Sequence, residues 1–365
     1  MGLDGNFDMT TSWRLLPGQS GDDAVRSNGA PDWMAPFLEL DQHWEQGQAC
    51  ARSSGSTGPS KTQPFESDWV RASAKATASH FQLAQSTQDG SPLSAWSPLP
   101  CTGVGGRMMW WRARILGWHL TQTKPSASPE VPALENGKAR YDFAVATPQQ
   151  AHALLRNGGL SRLALLLLGG APVSPSLEAD LIRGAQDSGC DIHHGFGMTE
   201  TLTHVATRPL GDATYRPLRG VTLDITPDGA LQIDAPDRGV HKLVTRDAVA
   251  PHPHGLTTGF EWRGRLDDVI NTGGVKVHPA ELERTLSNAL TPLLPNQRWH
   301  LIGRPHPQTG QEVCLVIEGD PKKDPTLEQN ILDQLRTTCS GPERPRRIEW
   351  VSQMEETATG KVVRR

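Results

Sequence analysis

The sequence predicts an α/β fold in two unequal parts: a large N-terminal α/β domain over residues 1–264 and a small C-terminal α+β domain over residues 265–365. Two observations lead to this prediction. Residues 163–168 form a continuous apolar run that ends at Gly169 and Gly170, which is typical of a strand buried on both faces of a parallel sheet. After about Arg265 the pattern changes to short helices and strands in alternation, which favours a separate small α+β unit.

Length and composition favour a soluble globular protein. The chain has 365 residues, of which 36% are hydrophobic, and this is enough for about two domains and a sizeable core. The 36 basic and 40 acidic residues leave a net charge of -4, so nothing indicates binding to nucleic acid or to an anionic membrane. Residues 1–6 lack the features of a signal peptide and no apolar stretch has transmembrane length, so we expect a cytoplasmic protein.

The five cysteines are scattered along the chain and include no C-x-x-C pair. This pattern predicts neither a disulfide framework nor a zinc site. We expect reduced and mostly buried thiols.

Two polar segments read as connections: residues 85–100 as a long surface connection and residues 124–129 as a second one. Between them, residues 107–116 have the pattern of a helix, which is followed by a short strand that ends near residue 123.

A helix is expected after the apolar run at residues 163–168. Ser174 can cap this helix, Pro175 suits its first position, and Gly189 ends it. Residues 190–194 are predicted to form the next strand, and residues 195–200 follow at its carboxyl end. In open α/β sheets that edge binds ligands. Glycine turns at 169–170 and 195–197 would lie side by side there, flat enough for a purine ring to approach the backbone.

The C-terminal part should contain two helices and three strands. The first helix starts at His278 and Pro279, and the second opens at Thr326, with Gln329 placed for a capping box. The strands are expected at residues 299–302, 313–317 and 347–351. We place the domain boundary at residues 265–268.

Residues 53–61 (SSGSTGPSK) offer hydroxyls, backbone N–H groups and one lysine in a flexible segment, which suits a polyphosphate. The segment is not a P-loop, because Pro59 and Ser60 separate Gly58 from Lys61. An exposed polar turn is the alternative interpretation.

Glu200 follows Thr199 at the end of the second glycine segment. This order places a carboxylate and a hydroxyl where a hard cation beside phosphates prefers oxygen ligands. The alternative is a helix-capping threonine followed by a first-turn glutamate.

Residues 53–61, 195–201, 264–268 and 359–361, taken in this order, resemble the phosphate loop, magnesium-site loop, hinge and catalytic lysine of the adenylate-forming acyl-CoA synthetases. The resemblance extends from about residue 50 to residue 365, although the family's usual long N-terminal portion is largely missing. Two positions depart from the family pattern. Pro59 lies two residues before Lys61 instead of directly before it, and Phe196 replaces a tyrosine that stacks on adenine.

The resemblance implies ATP, Mg²⁺ and coenzyme A as cofactors and cosubstrates, and a mobile C-terminal domain. The implied catalytic residues are Lys361, Glu200, Thr199 and Lys61, with Glu200 holding the metal. The residues implied in nucleotide and coenzyme A binding are Ser53, Ser54, Gly55, Ser56, Thr57, Gly58, Gly169, Gly170, Ala171, Pro172, Gly195, Phe196, Gly197, Met198, Asp247, Arg265, Gly273, Gly274 and Lys276. Asp247 would bind the ribose hydroxyls, since a carboxylate can accept two hydrogen bonds from a cis-diol. Asp267 matches the hinge.

Lys361 is otherwise an unremarkable position, since a lysine so near the end of the sequence is ordinarily a solvated charge. The resemblance implies instead that it stabilises the negative charge that develops on the α-phosphate. A small mobile domain would bring it there and later withdraw it.

Within the superfamily, residues 199–208 and 105–109 are similar to the compact o-succinylbenzoate-CoA ligases of menaquinone biosynthesis. Their substrate carries a second carboxylate and a ketone, which need a cation and a polar donor. Arg107 and His204 are the candidates, and a solvent-facing Arg107 is the alternative. Other functions remain open: a different aryl- or acyl-CoA ligase, an adenylation enzyme that loads a carrier protein, or a non-catalytic nucleotide-binding protein. The expected partner is a small carboxylic acid, and a homodimer is possible.

Overall fold

The computed structural model describes residues 12–15, 31–52, 61–83, 90–134, 138–295, 297–320, 326–339, 341–355 and 362–364. Across these residues the chain forms seven α-helices and nineteen strands. The helices are α1 (Ala35–Glu45), α2 (Ser67–His80), α3 (Val104–Leu116), α4 (Pro148–Arg156), α5 (Pro175–Ser188), α6 (Pro279–Leu290) and α7 (Leu327–Thr338). The strands are β1 (Ser12–Leu15), β2 (Ala49–Arg52), β3 (Thr62–Phe65), β4 (Ser94–Ser97), β5 (His119–Thr123), β6 (Phe143–Ala146), β7 (Leu165–Leu168), β8 (Asp191–Met198), β9 (Thr203–Pro209), β10 (Thr214–Pro217), β11 (Thr222–Ile225), β12 (Ala230–Ala235), β13 (Val240–Pro251), β14 (Phe260–Arg265), β15 (Ile270–Thr272), β16 (Val275–Val277), β17 (Trp299–His306), β18 (Gly310–Glu318) and β19 (Arg347–Val351).

Twelve of these strands form one large sheet, in the order β1-β5-β4-β6-β7-β8-β9-β10-β14-β13-β12-β11. The pairs from β5 to β8 are parallel. The pairs from β8 to β11 are antiparallel, and so is the pair of β1 with β5. The predicted apolar strand is β7, whose four leucines are all buried. The α/β fold class is therefore confirmed, and β8 is the strand at which parallel pairing changes to antiparallel.

Helix α5 has the ends that the sequence predicts. The Ser174 hydroxyl accepts a hydrogen bond from the backbone N–H of Leu177 at 3.3 Å, and Pro175 is the first helical residue. Gly189 ends the helix with φ +67°, a left-handed conformation in which a residue without a Cβ is not strained. Leu181 is fully buried against the sheet. Helix α3 likewise ends at a left-handed glycine, Gly117, but it begins at Val104, three residues earlier than predicted.

A central strand of the sheet lies where the sequence predicts only a surface connection. Strand β4 pairs with β5 and β6, and all four of its residues are buried. The backbone N–H and the hydroxyl of Ser94 both donate to the Asp142 carboxylate at 2.7 Å, so its polar groups are satisfied inside the protein. Trp96 is fully buried in the same strand. The interpretation of residues 85–100 as a connection is thus wrong for residues 94–97.

A second sheet of five strands follows, in the order β16-β15-β18-β17, with β19 parallel to β18. Helices α6 and α7 cover it, and Leu286 and Ile331 are fully buried between helices and sheet. The two predicted helices and three predicted strands are all present; β17 and β18 are longer than expected, β19 has the predicted bounds, and β15 and β16 were not predicted. The predicted capping box is absent, since Thr326 makes no side-chain cap hydrogen bond and Gln329 donates to the Asp333 carboxylate at 2.9 Å.

A short 3-10 turn, Leu266–Asp268, joins β14 of the large sheet to β15 of the small one. The predicted division into residues 1–264 and 265–365 falls at this connection and stays a prediction. Helix α6, which covers the small sheet, contacts the large sheet through the hydrogen bond from Arg284 Nη1 to the backbone oxygen of Trp262 on β14, at 2.8 Å.

None of the helices in the described ranges is both long and apolar enough to cross a bilayer. All five cysteines are free thiols; four are buried, and Cys50 on β2 is half-buried.

Candidate functional site

The candidate site is built around the carboxyl ends of β7 and β8. Leu168 pairs with His194, so the chain leaves β7 at Gly169 directly beside Gly195. Gly169 donates its N–H to the Ala146 carbonyl at 3.0 Å, and Gly170 has φ +87°, which turns the chain away from the strand. The two glycine segments therefore lie side by side, as predicted from the order of the strands.

The second glycine segment is not a turn, which corrects the prediction. Residues 195–198 continue β8, and they pair antiparallel with β9, with a register shift between Phe196 and Gly197. A Cβ added at Gly197 would overlap the backbone of Thr203, so only glycine permits this approach of the two strands.

The ring of Phe196 is half-buried between two aromatic side chains. Its centroid lies 5.1 Å from that of Phe260 and 5.8 Å from that of Tyr215, both in edge-on geometry. These contacts fix the ring orientation without a hydroxyl, so the phenylalanine at this position is a rigid apolar surface at the sheet edge.

His194, which is not among the residues predicted from the sequence, links the two segments. Its Nε2 lies 3.0 Å from the Ala171 carbonyl oxygen and its Nδ1 lies 2.7 Å from the Tyr215 hydroxyl. Burial, followed by the charge of Arg208, lowers the pKa of His194 to about 4, so the ring is neutral at physiological pH. Its signal in the sequence is a histidine at the end of the predicted strand 190–194, directly before Gly195.

Thr199 and Glu200 lie in a 3-10 turn, Thr199–Thr201, directly after β8. The Thr201 hydroxyl holds this turn by accepting from Met198 N–H at 3.0 Å and donating to the Thr203 carbonyl at 2.6 Å. Leu202 and Thr203 both have positive φ, at 60° and 137°. Non-glycine residues in such conformations are strained and are frequent at functional sites.

Glu200 is exposed, and no hydrogen bond or ion pair engages its carboxylate within the described part of the chain. Its oxygens therefore fit a hard divalent cation. The described residues contain no group of three histidine, cysteine, aspartate or glutamate side chains that would hold a metal unaided. Most ligands of a cation at Glu200 would have to come from a bound phosphate or from water.

Asp247 lies inside β13. It is 7% exposed and opposite Arg265 in the register, and its Oδ1 accepts a hydrogen bond from Trp262 Nε1 at 2.8 Å. A surface turn is thereby excluded for this aspartate. The indole fixes the orientation of this carboxylate.

Asp267 in the connecting turn is paired with two arginines. Arg246 reaches its Oδ1, and Arg265 Nη2 reaches its Oδ2 at 3.0 Å. The hydrogen bond from Arg246 is the main reason why the pKa of Asp267 lies below its ordinary value. Gly273 and Gly274, with φ of 59° and 84°, form the tight turn between β15 and β16, and the exposed Lys276 follows on β16.

Several predicted residues lie outside the described part: Ser53, Ser54, Gly55, Ser56, Thr57 and Gly58 of the polyphosphate segment, and Lys361. Lys61 is described and is exposed, directly before β3.

Arg107 is neither solvent-facing nor aimed at a ligand by its contacts. Its Nε donates to the Cys101 carbonyl at 2.7 Å, and its Nη1 donates to the Cys50 carbonyl at 2.8 Å. These bonds join α3 to β2 and give Arg107 a structural role. Its role in substrate binding stays a prediction that these contacts do not favour.

His204 is buried on β9. The Thr77 hydroxyl donates to the Ser73 carbonyl at 3.1 Å, so Nε2 of His204, 3.3 Å from the same hydroxyl, is the donor of their hydrogen bond. Burial, followed by the charge of Arg112, lowers the pKa of His204 well below its ordinary value. A neutral ring whose one N–H is engaged has no donor left for a ketone, contrary to the expectation for His204.

Arg112 is a buried cation that is not among the residues predicted from the sequence. It is 1% exposed on α3, its Nη2 donates to the Thr203 hydroxyl at 3.0 Å, and its Nε has no partner. No carboxylate pairs with it among the described residues. Burial lowers the pKa of Arg112 to about 9, which still leaves it charged at neutral pH. An unpaired charge in the protein interior is costly, and a bound anion would compensate it.

Comparisons with known proteins agree with this architecture. The family model described as AMP-binding enzyme matches residues 52–233. The chain is 24% identical over 321 residues to a 2-succinylbenzoate–CoA ligase of Enterococcus faecalis, an alignment that covers 78% of this chain and 64% of that protein. It is 28% identical over 265 residues to a feruloyl-CoA synthase of an Amycolatopsis species, covering 64% of this chain and 52% of that protein.

Among solved structures, the chain is similar to an acyl-CoA synthetase (AMP-forming)/AMP-acid ligase II-like protein from Dyadobacter fermentans. The sequence identity is 27% and the TM-score is 0.60, with 96% of this chain and 97% of that chain covered. By contrast, the chain spans less than two thirds of the length of each of these two curated relatives.

Proposed function

The chain belongs, through residues 52–233, to the AMP-binding enzyme family, and we propose that it is an ATP-dependent acid–CoA ligase. The enzyme forms an acyl-adenylate and then a thioester. The observation that carries this proposal is that the turn of residues 169–172 and the strand of residues 195–198 meet at one edge of the sheet. Glu200 follows directly after this strand; it is exposed, and its carboxylate makes no hydrogen bond or ion pair within the described part of the chain. A flat glycine-lined edge suits a purine, and a free carboxylate next to it suits a cation on the phosphates.

In the first half-reaction the substrate carboxylate attacks the α-phosphorus of ATP, and pyrophosphate leaves. Lys361 and Lys61 offset the negative charge on the phosphates, while Asp247 holds the ribose and the Phe196 ring packs on the base. Mg²⁺, held by Glu200 with Thr199 beside it, would draw charge from the phosphate oxygens.

In the second half-reaction the thiol of coenzyme A attacks the acyl carbon of the adenylate, a thioester forms and AMP leaves. A rotation about Asp267 would remove Lys361 beforehand and present the Gly273–Gly274 turn and Lys276 to the thiol substrate. Because the cytoplasm contains both ATP and coenzyme A, we propose that the reaction takes place there.

The substrate that we favour is o-succinylbenzoate, and hence a role in menaquinone biosynthesis. Arg112 supports this choice, since its buried and unpaired guanidinium reaches Thr203, three residues after Glu200, and an acid with a second carboxylate would neutralise it. The similarity to the Enterococcus faecalis ligase points in the same direction. A phenolic acid without a second carboxylate, such as ferulate, would leave Arg112 unpaired.

The test is mass spectrometry of the products formed with ATP, Mg²⁺, coenzyme A and a panel of acids that includes o-succinylbenzoate, ferulate and acetate. We expect o-succinylbenzoyl-CoA and AMP. Turnover of a different acid alone would overturn the substrate but keep the class. An adenylate that forms but never passes to free coenzyme A would indicate an enzyme that loads a carrier protein, and failure with every acid would overturn the proposal.

A further inference from the structure

We infer that Tyr215 and His194 act together as a positioning pair for the adenine base. The tyrosine hydroxyl keeps the imidazole in its Nε2–H form. That N–H holds the Ala171 carbonyl, and with it the turn of residues 169–172. The inference rests on the proposed function in one respect, namely that this turn contacts the base of ATP.

The tautomer follows from the hydrogen-bond partners. A carbonyl oxygen only accepts, so the 3.0 Å contact between Nε2 of His194 and the Ala171 oxygen requires a proton on Nε2. The buried ring is neutral and carries one proton, so Nδ1 is an acceptor. The Tyr215 hydroxyl, 2.7 Å away, is therefore the donor. Tyrosine keeps its proton here, because burial raises the pKa of Tyr215.

The direction of the Tyr215 hydroxyl is fixed by packing on its ring. The ring stacks on Phe260 at 5.5 Å with an interplanar angle of 18°, and the Arg208 guanidinium lies 5.4 Å from its centroid. Arg208 is itself held by both carboxylate oxygens of Glu178 on α5 and by the Asp212 carbonyl. The ring therefore has one orientation, and its hydroxyl points at His194.

Two hydrogen bonds hold residues 169–172 in the described part of the chain: Gly169 N–H to Ala146 O, and His194 Nε2–H to Ala171 O. The first fixes the start of the turn, and the second fixes its far side after the left-handed Gly170. Tyr215 also contacts the ring of Phe196 at 5.8 Å. Both walls of the candidate base site, the turn and the aromatic ring, thus depend on one tyrosine.

The experiment compares ATP binding by calorimetry in the full chain and in three variants. Tyr215→Phe keeps the ring and removes only the hydroxyl, so we expect ATP affinity about fivefold lower. His194→Leu removes the donor and should lower affinity by about tenfold or more. His194→Gln carries an amide N–H close to the position of Nε2, so it should restore ATP affinity to within about threefold of wild type. Affinity for the acid should not change in any of them.

A second readout does not depend on function. Long-range ¹⁵N–¹H spectra of the histidines, with His194 assigned from the His194→Gln variant, should show the Nε2–H form in wild type and a mixture of tautomers in Tyr215→Phe.

An Nδ1–H form in wild type would overturn the inference. So would ATP affinity in Tyr215→Phe equal to that of a binding-competent wild type. Wild-type protein that does not bind ATP would instead overturn the proposed function, while the tautomer spectra would still decide whether the pair acts as described.

Discussion

Two nitrogens of the Arg246 guanidinium donate to one carboxylate oxygen of Asp267, Nε at 3.0 Å and Nη2 at 2.7 Å. Arg246 lies on β13 of the large sheet, and Asp267 lies in the turn that leads to the small sheet. The pair therefore ties the connection between the two sheets to one of them, at the residue proposed as the hinge.

Replacement of Arg246 by Gln should change the balance of the two half-reactions more than the stability. The two side chains are 57% and 42% exposed, so solvent screening leaves the pair only a small contribution to folding stability. Without the ion pair to Arg246, the turn that contains Asp267 should rotate more readily. Thioester formation from supplied acyl-adenylate should therefore accelerate relative to adenylation. Arg336→Gln is the control, since Arg336 and Asp333 form an ion pair of similar exposure at 2.8 Å within the single helix α7. Equal ratios of the two half-reaction rates in both variants would contradict this role.

Gly197→Ala should disrupt the edge of the large sheet, whereas Gly169→Ala should not. The added Cβ at Gly197 would overlap the Thr203 backbone, while at Gly169 no heavy atom lies within 4 Å. We expect a loss of about 3 kcal/mol or more in the free energy of unfolding for the first variant and little change for the second. Urea denaturation of both measures this, and similar midpoints would show that β8 and β9 do not pack as described.

Arg112→Met should stabilise the ligand-free protein and weaken binding of a dicarboxylic acid. Replacing a buried, unpaired charge by an apolar side chain of similar length should raise the free energy of unfolding by about 1–3 kcal/mol. Arg107→Met is the matched comparison and should lower the free energy of unfolding, because loss of the guanidinium leaves the carbonyls of Cys50 and Cys101 without their donor. Thermal unfolding and titration with o-succinylbenzoate check both effects; a destabilised Arg112→Met would mean that an anion of the protein already pairs with this residue.

The free energy of unfolding should fall as the pH is lowered from about 6.5 to about 4. Burial lowers the pKa of both His194 and His300 to about 4, and the unfolded value is about 6.5. Between these values the unfolded state binds more protons, so each histidine removes up to about 1.4 kcal/mol per pH unit. Above pH 6.5 their contribution is constant.

Urea titrations at a series of pH values should show a shallower slope in His300→Gln. The exposed His254, replaced in the same way, is the control and should leave the slope unchanged. A wild-type slope in His300→Gln would indicate that this imidazole is protonated in the folded protein.

Lys361→Ala should abolish adenylate formation and leave thioester formation from supplied acyl-adenylate largely intact. The reason is that Lys361 is assigned to the negative charge that develops on the α-phosphate while the acid attacks it, a step that belongs to the first half-reaction. Pyrophosphate release and thioester formation are measured separately, with Lys276→Ala as the reciprocal variant. Equal loss of both half-reactions in Lys361→Ala would show that its assigned role is wrong.

The elements that the sequence predicts well are those whose first and last residues define the ends through local interactions. Helix α5 is delimited by Ser174, Pro175 and Gly189, and each of these residues acts locally. The meeting of Gly169 with Gly195 is also predictable, since the carboxyl ends of adjacent parallel strands share one edge.

The failures have a common physical origin in tertiary contacts. The polar segment Ser94–Ser97 is a buried strand because Asp142 satisfies Ser94, and no local pattern announces a partner 48 residues away. Residues 195–198 are a strand because β9 returns beside them, closer than any residue but glycine at position 197 allows. Arg112 and His194 went unnoticed for a related reason, since the importance of each depends on groups that fold next to it.

Cys50, the half-buried thiol beside Arg107, offers a practical handle. The other four cysteines are buried, and burial raises the pKa of each of them, so alkylation by a maleimide dye at neutral pH should be confined to Cys50. It lies three residues before Ser53, where the segment proposed to hold the triphosphate begins. A fluorophore at this one position would turn nucleotide occupancy into an optical signal without any engineered mutation.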